Sequence, residues 1–346
     1  MRICIFGAGA IGGYLAALLW KAGQDVCAIA RGPHLQAIRH TGLKLIAGGT
    51  EFTAFIRASD DPSEFGPQDV VFCALKAHQA YESAAQIVPL LGPDTAVVTA
   101  MNGIPWWYFY KDKSTIGEYH LRSVDPDARQ WKLIGPHRAI GCVVDPACEV
   151  VAPGVVEHHE FNRFILGEPN GQRSTRVVAL AKAMTDAGLE APIRDDIRWS
   201  VWLKLWGNVC FNPISVLTRT TLDRIVTEPA LRATCRAMMY EAKTVADALN
   251  VTIPENMIDR RLAAVASLPH KMSMLQDLER HRSLEIDALV TAVQELGQLC
   301  SVPTPTIDLV LGLTQELGRR TGLYVPLAGL GETEWRPGGG ENSLMR

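Results

Sequence analysis

The sequence predicts an α/β fold in which a doubly wound, mostly parallel sheet is followed by an all-helical part. Strand-like and helical runs alternate through about residue 150, an alternation typical of parallel sheets covered by helices. From Asp195 onward strand signals almost disappear and long helical patterns take over. The 346 residues, 47% hydrophobic and 21% charged, suffice for about two globular domains. We therefore expect a first domain of parallel sheet and helices at 1–192 and a second, helical domain at 193–346.

The individual elements follow from local patterns along the chain. Strands are expected at 2–6, 25–30, 69–74, 95–101 and 139–144, with antiparallel additions at 154–158 and 164–167. Helices are expected between them at 10–22, 33–41 and 77–91, and a helix at 176–187 closes the first domain. The second domain is predicted to contain helices at 196–211, 222–249, 256–267, 283–300 and 305–320. The glycine-rich tail at 332–346 is expected to be loosely ordered.

A glycine-rich turn joins the first strand to the first helix, in the pattern G-x-G-x-x-G. Gly7 permits the tight turn, Gly9 lets the backbone approach a pyrophosphate, and Gly12 packs the helix on the strand. The free N–H groups and the positive dipole end of the following helix favour phosphates. The turn therefore predicts a Rossmann-type dinucleotide site, whose residues are Gly7, Ala8, Gly9, Ala10, Ile11 and Gly12.

The end of the second strand bears on the choice of cofactor. Sites specific for NAD usually place an acid there to bond the ribose 2′-hydroxyl. Here the strand runs into Arg31-Gly32, and no carboxylate follows until Glu51. An arginine suits a 2′-phosphate, which it can grip with two hydrogen bonds, although a solvated surface arginine is the alternative. The sequence therefore favours NADP (NADPH) over NAD.

Three polar residues share one stripe of an otherwise apolar helix. Lys204, Asn208 and Asn212 fall at i, i+4 and i+8, so they drift by only about 40° per step. Lys204 is the only charge within 199–218, and a buried ammonium is costly unless something anionic meets it. The alternative is a lysine that snorkels from a core helix, with Asn212 ending that helix before Pro213. The two amides favour a receptor for a carboxylate and a carbonyl oxygen.

Further polar candidates stand at strand ends and in the helical part. Lys76 and Asn102 follow two strands at the edge where open α/β sheets bind ligands, although Asn102-Gly103 is also a turn dipeptide. Ser273 with Gln276 fits a capping box, and Glu285 lies beside an apolar stripe of the expected helix at 283–300. A continuous helix would hold Ser273 and Glu285 about 18 Å apart. A break must therefore lie between them if both reach one ligand.

Composition argues against several other classes of protein. The formal net charge of −3 leaves no basic surplus for nucleic acid, and no apolar run is long enough to span a membrane. The chain starts directly with a strand and shows no signal-peptide pattern. The eight cysteines are scattered without a C-x-x-C motif, so we expect reduced thiols, a cytoplasmic location and no metal site.

Together these motifs resemble the ketopantoate reductase (2-dehydropantoate 2-reductase) family, one of the two-domain folds of the 6-phosphogluconate-dehydrogenase-like kind. The resemblance covers nearly the whole chain. It rests on the glycine-rich turn, Arg31, Leu75-Lys76-Ala77, Asn102-Gly103, Trp202-x-Lys204-Leu205-x-x-Asn208-x-x-x-Asn212-Pro213, and Ser273-Met-Leu-Gln-Asp277 with Glu285-Ile-Asp287.

The resemblance implies NADPH-dependent reduction of ketopantoate, an α-keto acid, to pantoate in pantothenate biosynthesis. It makes Lys204 the proton donor and lets Glu285 contact the cofactor or the nascent hydroxyl. Lys76 would join the glycine-rich turn and Arg31 on the cofactor, which Asn102 and Glu285 would also contact. The residues that hold the substrate would be Asn102, Asn208, Asn212 and Ser273. A small α-keto acid is thus the expected partner, and a homodimer is compatible with the sequence.

The segment after Asn102 departs from the resemblance. It is longer than expected and carries five consecutive aromatic residues, Trp106–Tyr110. Such a cluster is unlike a solvated surface, so a dimer contact, a lid on the cleft and packing under the long loop are the alternatives. We favour a lid that reshapes the pocket for a bulkier α-keto acid.

Two other functions stay open from the residues. A non-catalytic NADPH-binding sensor would need neither Lys204 nor Glu285, so their presence argues against it. A 2- or 3-hydroxy acid dehydrogenase of related fold with a different substrate is the second alternative. A 3-hydroxy acid dehydrogenase would carry its lysine on a comparable helix, but it lacks the segment from Ser273 to Glu285.

Overall fold

The computed structural model describes residues 1–112, 114 and 116–327, so the tail predicted at 332–346 lies outside the described residues. The strands are β1 (Arg2–Phe6), β2 (Asp25–Ile29), β3 (Leu43–Ala47), β4 (Thr50–Ala54), β5 (Arg57–Ser59), β6 (Gln68–Cys73), β7 (Leu91–Thr99), β8 (Ala139–Val144), β9 (Ala147–Ala152), β10 (Val155–Glu160) and β11 (Phe164–Gly167). The α-helices are α1 (Ala10–Lys21), α2 (Gly32–Thr41), α3 (Ala77–Glu82), α4 (Ala84–Ile87), α5 (Arg129–Ile134), α6 (Thr175–Asp186), α7 (Ile197–Thr218), α8 (Leu222–Thr227), α9 (Pro229–Ala248), α10 (Met257–Ala264), α11 (Ser273–Glu279), α12 (Ala292–Leu299) and α13 (Pro305–Arg320).

The main sheet has seven strands in the order β11-β8-β7-β6-β1-β2-β5. Its strands pair in parallel except β11, which runs antiparallel to β8. From β1 the chain moves outward through β2 to β5, then returns to the other side of β1 and continues through β6, β7 and β8. This doubly wound order confirms the predicted fold class. The direction of winding reverses between β1 and β6, which is where open sheets of this kind bind ligands.

A second sheet of four strands, in the order β4-β3-β10-β9, was not predicted. The strand expected at 154–158 does not extend the main sheet, because β10 pairs antiparallel with β9 and parallel with β3. The local pattern indicated a strand but not its partner, which lies far away in the sequence. The new sheet packs closely on α1, since a Cβ added at Gly13 would lie 2.7 Å from Cγ2 of Val156.

The described residues from Ile197 onward are helical or irregular, with α7 packed against α9, α11 and α13. The Asp196 side chain caps α7 by accepting a hydrogen bond from Trp199 N at 3.0 Å. The expected stop before Pro213 was wrong, because α7 continues through this buried proline to Thr218. The helix expected at 222–249 is split at Pro229, a residue type favoured in a first helical turn. The division of the chain at residue 192 stays a prediction.

The segment between α11 and α12 contains a break between Ser273 and Glu285, which the sequence required only if both residues reach one ligand. α11 ends at Glu279, and helical structure resumes only with a π-helix at Asp287–Thr291. Glu285 therefore lies in an irregular segment, whereas a helix was expected there. The capping box is also absent, because Met272 occupies the cap position and Ser273 begins the helix.

The aromatic run Trp106–Tyr110 packs between the sheet and α7. Its first four side chains are at most 3% exposed. Trp107 Nε1 donates to Thr99 Oγ1 at 2.9 Å, and Trp202 Nε1 of α7 donates to the Tyr108 hydroxyl at 2.7 Å. The buried interior takes up most of this aromatic surface, which favours the packing alternative over the lid, while Trp107 also lines a small cavity with Asn102 and Lys204. None of the described helices is long and apolar enough to cross a membrane.

Candidate active site

The glycine-rich turn has the geometry that a pyrophosphate needs. Gly7 adopts φ +103°, and a Cβ on it would lie 2.6 Å from Leu75 Cδ2. A Cβ on Gly12 would lie 2.0 Å from the Gly7 carbonyl oxygen, so only glycine lets α1 pack here. A Cβ at Gly9 would meet nothing within 4 Å, and no side chain caps α1. The first N–H groups of α1 are thus left for a ligand, which fits a dinucleotide.

A cleft of about 960 Å³ runs along the carboxyl ends of β1, β2, β6 and β7. Its size suits a large ligand. One wall is formed by the glycine-rich turn at 7–11, with Arg31 exposed at the start of α2. The segment 150–153, from β9 and its following turn, forms another wall, and the helical part adds a third. The predicted cofactor residues that line the cleft are Gly7, Ala8, Gly9, Ala10, Ile11, Arg31, Lys76, Asn102 and Glu285.

Lys76 crosses from the sheet to the helical part. Its Nζ lies 2.6 Å from Asp277 Oδ2 and donates to the Ser283 carbonyl oxygen at 2.6 Å. Both charged side chains are largely buried, which strengthens their attraction relative to a surface pair. Lys76 therefore lines the cleft while it holds the segment around Ser283 in place.

Glu285 lies on the same side of the cleft. One carboxylate oxygen accepts a hydrogen bond from Ala77 N, at the start of α3, at 3.1 Å. Burial raises the pKa of Glu285, while the Lys76 ammonium and the Ala77 N–H oppose that rise. The irregular segment before the π-helix thus brings Glu285 to the cleft that the glycine-rich turn also lines.

A second cavity, of about 620 Å³, adjoins the cleft and is lined by Lys204 and Asn208 of α7. The cavity and the cleft share Ile11, Met101, Asn102, Ser273 and Gln276 among their lining residues. The two spaces therefore meet where the carboxyl end of β7 faces the start of α11. Four of the predicted substrate or catalytic residues, Asn102, Lys204, Asn208 and Ser273, line this cavity.

Lys204 reaches from α7 to the carboxyl end of β8, where its ammonium donates to the Val144 carbonyl oxygen. Burial lowers the pKa of Lys204, and the Asp145 carboxylate is the strongest opposing influence. A lysine with a lowered pKa gives up its proton more readily than one in water. The arrangement can therefore supply a proton to a group bound in the cavity.

Asn212 lies behind the cavity, and its side chain is fully buried. Its Oδ1 accepts hydrogen bonds from Ser273 Oγ at 3.3 Å and from Met274 N at 3.1 Å. Within the described residues its Nδ2 has no partner. Asn212 is absent from the described lining of both spaces, so the structure brings it to Ser273 and holds it apart from the cavity.

Charged residues that sequence reasoning missed also line the cavity, notably Asp145, Glu149 and Arg280. Glu149 belongs to β9, a strand that was not predicted, and Asp145 follows β8 directly. Arg280 falls four residues after Gln276, at the end of α11. This helical spacing could have indicated that Arg280 lies on the same side as Gln276. The sequence contained no sign that β9 would face α11.

A dinucleotide cleft at the switch point of a doubly wound sheet, joined to a cavity with a lysine from a helical part, defines a nucleotide-dependent oxidoreductase. Comparison with protein-family models agrees. The model described as "Ketopantoate reductase PanE/ApbA" matches residues 3–171, and "Ketopantoate reductase PanE/ApbA C terminal" matches residues 196–318. The chain belongs to the ketopantoate reductase family.

Individual relatives are similar over nearly their full length. A protein of Mesorhizobium japonicum named 2-dehydropantoate 2-reductase is 53% identical over 326 residues, covering 94% of this chain and 100% of that protein. One of the same name from Archaeoglobus fulgidus is 27% identical and covers 91% and 99%. The crystal structure of a putative ketopantoate reductase from Ralstonia solanacearum is 44% identical, with a TM-score of 0.90 and coverage of 93% and 99%.

Proposed function

We propose that the protein reduces an α-keto acid to a 2-hydroxy acid with NADPH, and that its substrate is ketopantoate, converted to pantoate for pantothenate biosynthesis. The observation that carries this proposal is the junction of the Lys204 cavity with the dinucleotide cleft at Asn102 and Ser273. A proton donor and a cofactor can thereby act on one bound molecule. The name of the 53% identical relative supports the choice of substrate.

A nicotinamide cofactor would be held by the glycine-rich turn at 7–11 and by Lys76, and when bound it supplies the hydride. The preference for NADP is supported by Arg31, which stands exposed at the start of α2 within the cleft. The acid on this side, Asp60, lies 3.9 Å from Arg39 Nη2. Its charge is thus partly balanced by a neighbour, which leaves Arg31 for a 2′-phosphate.

Lys204 acts on the ketone oxygen of the substrate. Reduction at C2 builds negative charge on this oxygen, which the ammonium stabilises and then protonates. Burial lowers the pKa of Lys204 and so favours release of its proton. The Val144 carbonyl oxygen accepts from the ammonium and orients it. Glu285, whose carboxylate accepts from Ala77 N, would bind the cofactor or the new hydroxyl.

The carboxylate of the keto acid would be bound by Asn208 and Ser273 on the cavity wall, with Asn102 between substrate and cofactor. Asn212 contributes indirectly, because its Oδ1 orients the Ser273 hydroxyl and the Met274 N–H. These residues come from both parts of the chain. This supports a division of labour between a cofactor domain at 1–192 and a substrate domain at 193–346.

Turnover of NADPH with ketopantoate, compared with a panel of branched α-keto acids, tests the proposal. We expect the highest kcat/KM with ketopantoate and little turnover by Lys204→Ala. Binding of NADPH without turnover of any keto acid would favour the sensor. A clear preference for a bulkier acid would favour the alternative dehydrogenase.

A further inference from the structure

His34, on α2, bonds through its imidazole ring to the glycine-rich turn and to the turn between β9 and β10, beside the dinucleotide cleft. It lies in the first turn of α2, three residues after Arg31, and lines the cleft. Its Nε2 is 2.8 Å from the Ala8 carbonyl oxygen, and its Nδ1 is 3.0 Å from Gly154 N. A backbone N–H can only donate, so Nδ1 accepts from Gly154 and Nε2 carries the proton that it donates to Ala8. The bond from Gly154 N requires the neutral ring, whereas the bond to the Ala8 carbonyl oxygen would persist in the protonated ring.

The Gly154 turn between β9 and β10 is seated firmly beside His34. Gly154 has φ +75°, and a Cβ on it would lie 2.8 Å from the Ala37 Cβ of α2. Its carbonyl oxygen accepts from Lys44 N at 2.8 Å. The residues just before it, 150–153, line the cleft. The second sheet therefore contributes a wall whose position depends on α2 and on the ring of His34.

The bond to Ala8 also orients the peptide between Ala8 and Gly9. A trans peptide is planar, so fixing its carbonyl on one side fixes its N–H on the other. Ala8 N is itself held by the Ile29 carbonyl oxygen at 2.9 Å. With that N–H and the Ala8 carbonyl both engaged, the orientation of the Gly9 N–H is set at the uncapped start of α1.

We propose that His34 is a positioning residue for the dinucleotide, which orients the Gly9 N–H for the pyrophosphate and seats the β9–β10 turn as the outer wall of the cleft. The inference rests on the proposed use of a nicotinamide dinucleotide. Burial lowers the pKa of His34, which favours the neutral ring that the bond from Gly154 N needs. Since NADPH and NADH share the pyrophosphate, His34 affects both cofactors equally, in contrast to Arg31.

A matched pair of variants separates the two bonds of the ring. The glutamine of His34→Gln keeps a donor near the position of Nε2, so the bond to Ala8 can persist. The asparagine of His34→Asn keeps an acceptor near the position of Nδ1, so the bond from Gly154 can persist while the bond to Ala8 is lost. We expect His34→Asn to raise the Kd of NADPH and of NADH by the same factor, about 5- to 30-fold for one lost hydrogen bond. We expect His34→Gln to bind both cofactors more tightly than His34→Asn. Fluorescence titration of the purified proteins measures each Kd.

His158→Ala is the control for a general loss of order in the second sheet. His158 lies on β10 and stacks on Tyr14 with ring centroids 4.5 Å apart, and it is not among the described residues that line the cleft. We expect its Kd for NADPH to equal that of the unaltered protein. Circular dichroism and thermal unfolding would check that each variant is folded.

Four outcomes would overturn the assignment of His34. They are an unchanged Kd in His34→Asn, tighter binding by His34→Asn than by His34→Gln, a loss confined to NADPH, and an equal loss in His158→Ala. A loss confined to NADPH would place His34 at the 2′-phosphate. If the unaltered protein bound neither cofactor, the proposed function itself would be wrong. If it bound both cofactors but the His34 variants behaved as above, only the role of His34 would be wrong.

Discussion

The Arg280 guanidinium lies 2.7 Å from the Glu149 carboxylate, and this ion pair joins the end of α11 to β9. Arg280 lines both the cleft and the cavity, and Glu149 lines the cavity. A second pair between the two parts of the chain, Lys76 with Asp277, measures 2.6 Å. The proposed substrate and cofactor sites therefore lie beside charges that hold the two parts of the chain together.

Opposite effects are expected from the two partners of the Glu149–Arg280 pair. Glu149→Gln removes a negative charge from a cavity proposed to bind an anionic keto acid, so KM should fall, by roughly threefold for a partly screened charge. Arg280→Gln should raise KM. Both side chains are about one-third exposed, so the pair should contribute at most about 1 kcal/mol to stability. Steady-state kinetics at two salt concentrations measure these effects. Equal rises in KM for both variants would instead make the pair a structural link.

Arg31→Ala should change the choice of cofactor. If the guanidinium binds the 2′-phosphate, its loss should cost about 1.5–3 kcal/mol of NADPH affinity because a charge-assisted contact disappears. The affinity for NADH, which lacks this phosphate, should barely move. Titration of both cofactors measures the difference. Equal losses for the two cofactors would remove Arg31 from the phosphate.

Lys204→Ala should lower kcat by roughly 10²–10⁴-fold while NADPH still binds, because the proposed proton donor is lost. The unaltered protein needs the charged ammonium, and burial lowers the pKa of Lys204. Its rate should therefore fall with rising pH at a lower pH than an ordinary lysine would cause. Rapid-mixing kinetics of NADPH oxidation check both points. A near-normal rate in Lys204→Ala would make this lysine structural.

The two asparagines of α7 should respond differently. Asn208→Ala should mainly raise the KM of the keto acid, because the side chain lines the cavity and its contact would persist into the transition state. Asn212→Ala should also lower stability, by about 1–3 kcal/mol, because Met274 N loses a buried acceptor. Kinetics and urea unfolding of both variants make the comparison. Destabilisation by Asn208→Ala alone would reverse these assignments.

Trp107→Ala should destabilise the fold without changing which keto acid is preferred. Its side chain is fully buried and its Nε1 bonds Thr99, so the loss should be about 3–5 kcal/mol. Trp107→Phe, which keeps most of the volume, should lose less. Urea unfolding gives the stabilities, and kcat/KM for a small and a bulky keto acid gives the preference. A changed preference in a stable Trp107→Phe variant would restore a role in substrate choice.

The sequence by itself determined the features that depend on neighbouring residues. The turn from Gly7 to Gly12 was identified because strand, glycines and helix are adjacent in the sequence, and Arg31 was identified because it follows the next strand. The common stripe of Lys204 and Asn208 follows from helical spacing alone. The rise of a helix also showed that Ser273 and Glu285 could reach one ligand only if a break lay between them.

Only the tertiary structure determined which segments pack against these residues. The second sheet depends on the pairing of β3 with β10, which are distant in sequence, so local periodicity could not reveal it. Helical spacing predicted that Asn212 shares a stripe with Lys204. Asn212 nevertheless lies behind the cavity, because α11 packs over that end of α7. The aromatic run was visible as apolar surface, but its burial under α7 depended on long-range packing. The local sequence pattern determines which face of a helix or strand is apolar. Contacts between segments that are distant in the sequence determine what packs against that face.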